Sequence, residues 1–147
     1  RLGFRKLLTT SARVRVHAIA QRLCVDQLLR LPLGALSGGE RRRVSCARAL
    51  VDDLAIAYLL DEPFAGLDLN HREILVGLLQ ERAASGAVVV VSLHEISLAR
   101  ALGGRLIALR RGQVALDEPT EQALTVSNLV EVYGISVRLA QLQLGIA

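Results

Sequence analysis

Apolar residues recur along this chain in two rhythms. Over residues 12–24, Val16, Ile19, Ala20 and Leu23 fall at helical spacing, and Ser11 stands where a cap would start that helix. Leu31-Pro32-Leu33-Gly34 interrupts the pattern as a loop. Gly38 and Gly39 then lead into a second helix over 40–51, with Val44, Ala47, Leu50 and Val51 turned inward. Asp52-Asp53 reads as a turn. Residues 54–60 form an unbroken apolar run, which predicts a strand buried on both faces, as in a parallel sheet. Helical spacing returns over 71–84 through Ile74, Leu75, Leu78 and Leu79, and Gly86 ends it. Residues 88–93 predict a second buried strand and 95–102 a short helix. Strand, helix, strand, helix is the signature of an α/β fold with a parallel sheet core. Farther on, 105–109 and 113–116 flank Arg110-Arg111-Gly112 as a hairpin. Thr120 is placed to cap a small helix from Glu121, and 128–133 predicts another, closed by Gly134.

Composition narrows this picture. A chain of 147 residues can bury a core of its own, and 52% hydrophobic with 22% charged residues excludes a disordered segment. The strongest apolar run, 87–91, is far too short to span a bilayer. The basic residues 1–6 are followed by no apolar stretch of the secretory kind. Methionine is absent throughout, which fits a piece of a longer protein. Cys24 and Cys46 form no CxxC pair and suit a reducing compartment, as small core or surface residues and not ligands. The net charge of +4 is carried almost wholly by arginine and reads as a solvated surface. With no Trp, two Phe and two Tyr, a stacking platform for single-stranded nucleic acid is hard to build.

Four short stretches carry candidate chemistry. Asp61-Glu62 ends an apolar strand, at the sheet edge where α/β proteins bind ligands. An aspartate there can hold Mg²⁺ through water while its neighbour polarises an attacking water. A polar turn explains the pair equally well when it is taken alone. Ser37-Gly38-Gly39 precedes a helix, whose free N–H groups and dipole favour an anion. Alone, that triplet is better explained as an ordinary cap. His94 follows the second strand and is placed to meet a phosphate or hold a water. Asp68 is by itself a turn residue or the cap of the next helix. His17 and His71 lack such context and read as structural.

Taken together, Leu36-Ser37-Gly38-Gly39-Glu40 with Arg43, Leu59-Leu60-Asp61-Glu62-Pro63, Ala65-Gly66-Leu67-Asp68 and Val90-Val91-Ser92-Leu93-His94 resemble, in order and spacing, the nucleotide-binding domain of ABC transporters. They match its signature motif, Walker B with catalytic glutamate, D-loop and switch histidine. The resemblance implies a partial P-loop NTPase (RecA-like) fold. Residues 1–51 would end the helical subdomain and 52–147 would form the C-terminal part of the RecA-like core. It implies that Ser37, Gly38 and Gly39 bind the γ-phosphate of an ATP held by an opposite subunit, with Leu36, Glu40 and Asp68 also among the ATP-binding residues. Asp61 would serve Mg²⁺, Glu62 would act as general base or water orienter, Asp68 would link the two sites across the dimer, and His94 would sense and orient the γ-phosphate. Arg42 stands where the signature usually has glutamine. GxxxxGK[ST] is absent, and Lys6 is the only lysine, with no glycine loop before it.

The end of the chain, Leu124-Thr125 through Tyr133-Gly134, resembles importers of iron-siderophores, haem and vitamin B12, as does Arg1-Leu2-Gly3-Phe4. The form SGGE leans towards haem or B12. The resemblance implies a bacterial importer ATPase at the cytoplasmic face of the membrane, peripheral, and paired with itself or another ATPase subunit. It would drive a transmembrane permease and, indirectly, serve a periplasmic or surface substrate-binding protein, with no nucleic acid involved. The isolated chain is expected to be inactive alone. The alternative is a non-hydrolytic partner that donates its signature loop in trans. A DNA-repair or chromosome-type ABC ATPase is disfavoured, since no zinc motif or heptad run accompanies Arg41-Arg42-Arg43.

Overall fold

A computed structural model describes residues 9–146. Lys6 and the Arg1-Leu2-Gly3-Phe4 stretch lie outside the described residues. The chain divides into two compact units between Ser92 and Leu93.

The first unit carries α1 (Thr10–Arg22), α2 (Gly38–Leu50), β1 (Ala57–Asp61), α3 (Leu69–Ala84) and β2 (Val88–Ser92), with 3-10 turns at Asp26–Leu28 and Leu33–Ala35. β1 and β2 pair in parallel, from Ala57 opposite Val88 to Asp61 opposite Ser92. This is the βαβ unit expected from the apolar runs. α2 packs on β1 and α3 on β2. Leu23, Leu50 and Leu75 are fully buried between these elements. Each such leucine contributes about 1.5–3 kcal/mol from burial. On the surface, Arg22 holds Glu81 through two bonds of 2.6 Å and ties α1 to α3. Arg82 donates to the Leu50 carbonyl at 2.8 Å and lies 5.8 Å from the centre of the Tyr58 ring, so one side chain closes the end of α2 against β1.

Four local expectations differ from the structure, one of them the buried strand expected over 88–93, since Val88 and Val90 of β2 are 60% and 52% exposed and none of its residues is fully buried. Thr9, not Ser11, caps α1. Its extended backbone and its hydroxyl, which accepts from the Ala12 N–H at 3.2 Å, start the helix earlier. The strand expected over 54–60 is shorter and buried on one face only. Leu54 and Ile56 precede it and are 82% and 87% exposed, and within β1 Tyr58 and Leu60 are buried while Leu59 is 77% exposed. A strand turns alternate side chains to opposite faces, and only the Tyr58–Leu60 face is covered here. α2 and α3 each begin before the expected first residue, because Ser37 and Asp68 cap them.

The second unit runs through α4 (Ile96–Leu102), β3 (Arg105–Arg110), β4 (Gln113–Pro119), α5 (Thr120–Ala123), α6 (Val126–Tyr133) and α7 (Val137–Leu144). β3 and β4 form the expected antiparallel hairpin, with Arg110 opposite Gln113. Its two turn residues, Arg111 at φ 52° and Gly112 at φ 77°, are both left-handed, the geometry that matches strand twist. Thr120 does not cap α5. It is the helix's first residue, buried at 4% exposure, and its hydroxyl donates to the Gly103 carbonyl at 3.1 Å. α6 starts at Val126 because Thr125 accepts from the Asn128 N–H, and Gly134 ends it in the left-handed region. α7 was not expected. Ile96, Leu129, Ala140 and Leu144 form the core of this unit. Among the described residues, no helix is long and apolar enough to cross a membrane.

Candidate nucleotide site

The first unit gathers three of the four motifs along one face of α2. Ser37 caps this helix. Its hydroxyl accepts from the Glu40 N–H at 3.3 Å, while the Glu40 carboxylate accepts from the Ser37 N–H at 2.8 Å. This capping box uses two donors of the first turn and leaves the N–H groups of Gly38 and Gly39 pointing past the helix end. The hydroxyl of Ser37 accepts that bond and keeps its proton to donate outward. Leu36, just before, is buried at 4% exposure, so its side chain anchors the loop and only its backbone is open to a ligand. The backbone and hydroxyl bonds from Ser37 hold the Glu40 carboxyl below the ordinary glutamate value. The first turn of α2 is thus a fixed cup of donors for an anion.

The acidic pair stands at the C-terminal end of β1. Asp61 pairs with Ser92 across the sheet, and the Ser92 hydroxyl donates to Asp61 Oδ1 through a very short hydrogen bond. The next residue, Glu62, has φ 44°, in the left-handed region that a residue with a side chain seldom adopts. Its N–H points at both oxygens of Ser92, the hydroxyl at 2.9 Å and the carbonyl at 3.2 Å. One serine therefore fixes the carboxylate of Asp61 and the strained backbone of Glu62 together. Sequence reasoning missed Ser92. Its part depends on strand register, which the run of valines before it does not reveal.

After Glu62 the chain turns tightly. Ala65 N–H bonds the Glu62 carbonyl at 3.1 Å, and Leu67 N–H bonds the Phe64 carbonyl at 3.2 Å. Pro63, Phe64 and Leu67 are buried and pin this turn to the core. Gly66, at φ 72°, allows the reversal. Asp68 then caps α3, accepting from the His71 N–H at 3.0 Å. That backbone bond, and next the His71 ring, hold the Asp68 carboxyl below its ordinary value.

α2 touches this loop along its length. Arg42 Nη1 donates to the Asp61 carbonyl at 3.4 Å, and Cys46 Sγ to the Pro63 carbonyl at 3.8 Å. Arg42, odd for the signature, thus braces the end of β1. Burial pushes the Cys46 thiol up to about 11, which suits packing and not reactivity. His94 opens the second unit, two residues past Ser92, and is exposed.

Among the described residues, no three metal-ligating side chains cluster.

The chain matches no protein-family model. Among curated proteins, it is 42% identical over 125 residues to hemin import ATP-binding protein HmuV of Rhodococcus jostii, a match that covers 84% of this chain and 42% of that protein. It is 46% identical over 102 residues to the protein of the same name from Streptomyces coelicolor, covering 69% of this chain and 36% of the relative. Phosphonates import ATP-binding protein PhnC of Staphylococcus saprophyticus is 41% identical over 104 residues, 70% of this chain and 40% of that protein. The chain therefore spans less than half the length of these three relatives. Its fold matches the ATP-binding subunit of an ABC transporter with a TM-score of 0.73 at 21% identity, covering 95% of this chain and 57% of that one. It matches an ABC transporter ATP-binding cassette in its ADP conformation with a TM-score of 0.67 at 20% identity, covering 90% and 51%. In sequence the chain matches part of the ATP-binding proteins of ABC transporters, and its fold is that of their ATP-binding cassettes.

Proposed function

We propose that this chain is the C-terminal part of the ATP-hydrolysing subunit of a bacterial ABC importer, and that haem is its cargo. The observation that carries the reading is the joint placement of the capped signature helix, the Ser92-held acidic pair and the Asp68 cap in one packed unit. In this reading residues 1–51 end the helical subdomain and 52–147 belong to the RecA-like core. The phosphate cradle comes from outside these 147 residues. Relatives named for hemin import favour haem, and the tail around Tyr133-Gly134 is compatible with vitamin B12 or iron-siderophore as well.

Each residue has a task in this reading. Ser37, Gly38 and Gly39 offer a hydroxyl and two N–H groups to the γ-phosphate of an ATP bound by the paired subunit. Asp61 would hold Mg²⁺ through water, and the bound ion would supply charge neutralisation to the phosphates. Glu62 takes hydrogen bonds from the attacking water and aims it, and its strained backbone is the cost of placing its carboxylate there. His94 donates towards the γ-phosphate, and Asp68 meets the other half of the dimer. The subunit works at the cytoplasmic face of the membrane, beneath a transmembrane permease that a substrate-binding protein loads.

The test is transport. The full-length subunit is reconstituted with its permease in proteoliposomes and supplied with hemin. ATP-dependent hemin uptake that Glu62→Gln abolishes supports the reading. Intact ATP hydrolysis with uptake of cobalamin or a siderophore instead corrects the cargo, and hydrolysis indifferent to Glu62→Gln refutes the mechanism.

A further inference from the structure

The signature helix and the loop that starts α3 meet at two points, one helical turn apart. A Cβ built on Gly39 would lie 3.1 Å from the carbonyl oxygen of Gly66, so the two backbones are nearly in contact. Four residues on, and so on the same face of α2, Arg43 Nη1 lies 2.6 Å from His71 Nε2. The same ring sends Nδ1 to Asp68, 2.7 Å from one carboxylate oxygen and 2.8 Å from the other. The His71 side chain is 15% exposed, whereas that of Asp68 is 65% exposed. Arg43 Nε is buried without a hydrogen-bond partner.

Arg43 Nη1 is also 3.1 Å from Nδ1, so it lies over the face of the ring and not along the lone pair of either nitrogen. The guanidinium packs on the ring face, while the ring edge meets Asp68 through Nδ1.

We propose that His71 is a positioning residue that couples the signature helix to the D-loop. It passes the orientation of Arg43 on α2 to Asp68 at the start of α3. The inference rests on the ATPase reading above, in which Ser37–Gly39 and Asp68 approach the paired subunit from different elements. Gly39 against Gly66 sets their distance, and the Arg43–His71–Asp68 bridge sets their rotation. His71 itself touches no nucleotide.

Two measurements test this. Histidine-ring NMR on the unsubstituted full-length subunit reads the contact directly. Nuclear Overhauser contacts from the His71 ring to the Arg43 side chain are expected, and their absence overturns the bridge. This readout stands even where a variant does not fold. In the full-length subunit, His71→Ala and Arg43→Gln are each expected to lower kcat by about tenfold with KM for ATP changed less than about twofold. The double variant should fall no further, because both remove one link. His71→Asn keeps a donor to Asp68 but no ring face for Arg43, and should resemble His71→Ala. Losses that multiply to about a hundredfold, an unchanged kcat, or full activity in His71→Asn would overturn the coupling. Glu62→Gln run alongside separates the two readings. Persistent turnover in that variant refutes the hydrolytic mechanism, while the ring contact still decides the bridge.

Discussion

Gly38 and Gly39 are neighbours in the first turn of α2, yet alanine should act on them in opposite directions. At Gly38 a Cβ meets nothing within 4 Å, whereas at Gly39 it meets the Gly66 carbonyl oxygen at 3.1 Å. Neither glycine needs positive φ. Replacing glycine by alanine in a helix gains roughly 0.5–1 kcal/mol, chiefly by restricting the unfolded chain. Gly38→Ala should keep much of that gain. Gly39→Ala starts from the same gain but pushes a methyl group against a backbone oxygen. That oxygen belongs to a turn pinned by Pro63, Phe64 and Leu67, and it cannot retreat as a flexible side chain would. Overpacking of this kind costs about 1–3 kcal/mol. The two variants should therefore differ by about 1–3 kcal/mol, with Gly39→Ala the less stable. Urea unfolding of the 147-residue chain reads this as a shift in midpoint at constant m-value. Equal stability of the two variants would mean that the signature helix and the D-loop are not in contact, and the geometry of the site would need rebuilding.

Other consequences follow from the titratable groups. The folded-state carboxyls of Glu40, Asp68 and Glu81 lie below their ordinary values of 4.5, 3.8 and 4.5, held there by Ser37, His71 and Arg22 respectively. A lowered folded value gives a contribution that is complete above the ordinary value and lost as pH falls through the folded one. The urea midpoint should hold near neutrality and drop between about pH 5 and pH 2, and Asp68→Asn should flatten part of that drop. A midpoint that rises on acidification would contradict these assignments. The cysteines should also separate. Cys24 is exposed, while the buried Cys46 thiol is pushed up to about 11. At about pH 8 only about one part in a thousand of Cys46 is thiolate, so iodoacetamide should label Cys24 in native protein and Cys46 only after unfolding. Equal native rates would show that α2 opens readily.

The βαβ core was legible because its apolar runs and helical spacings are local features, and strand pairing adds nothing that contradicts them. The caps were only partly legible. Ser37 and Asp68 follow from the usual chemistry of helix starts, but choosing Thr9 over Ser11 depends on which backbone is extended. Continuous apolar character in 54–60 suggested burial on both faces, yet period-two geometry leaves Leu59 bare where a single face is covered. α7 escaped because its buried side is only Ala140 and Leu144, too little to mark a period. Its signals were nevertheless present, with Ser136 as cap and Gly145 as left-handed stop. His71 and Ser92 could not be found from sequence alone. The partners of His71 include Arg43, 28 residues away, and Ser92 acts on Asp61, 31 residues away. Such contacts exist only once α2, the D-loop and the sheet are packed.

The central claim is that Glu62 drives hydrolysis at a site completed by a second subunit. The most direct measurement is ATP turnover together with retained nucleotide in the full-length subunit, for the natural residue and for Glu62→Gln. The account predicts that Glu62→Gln abolishes turnover, keeps ATP bound and accumulates a dimer with Mg²⁺. Turnover at an undiminished rate in that variant would contradict it.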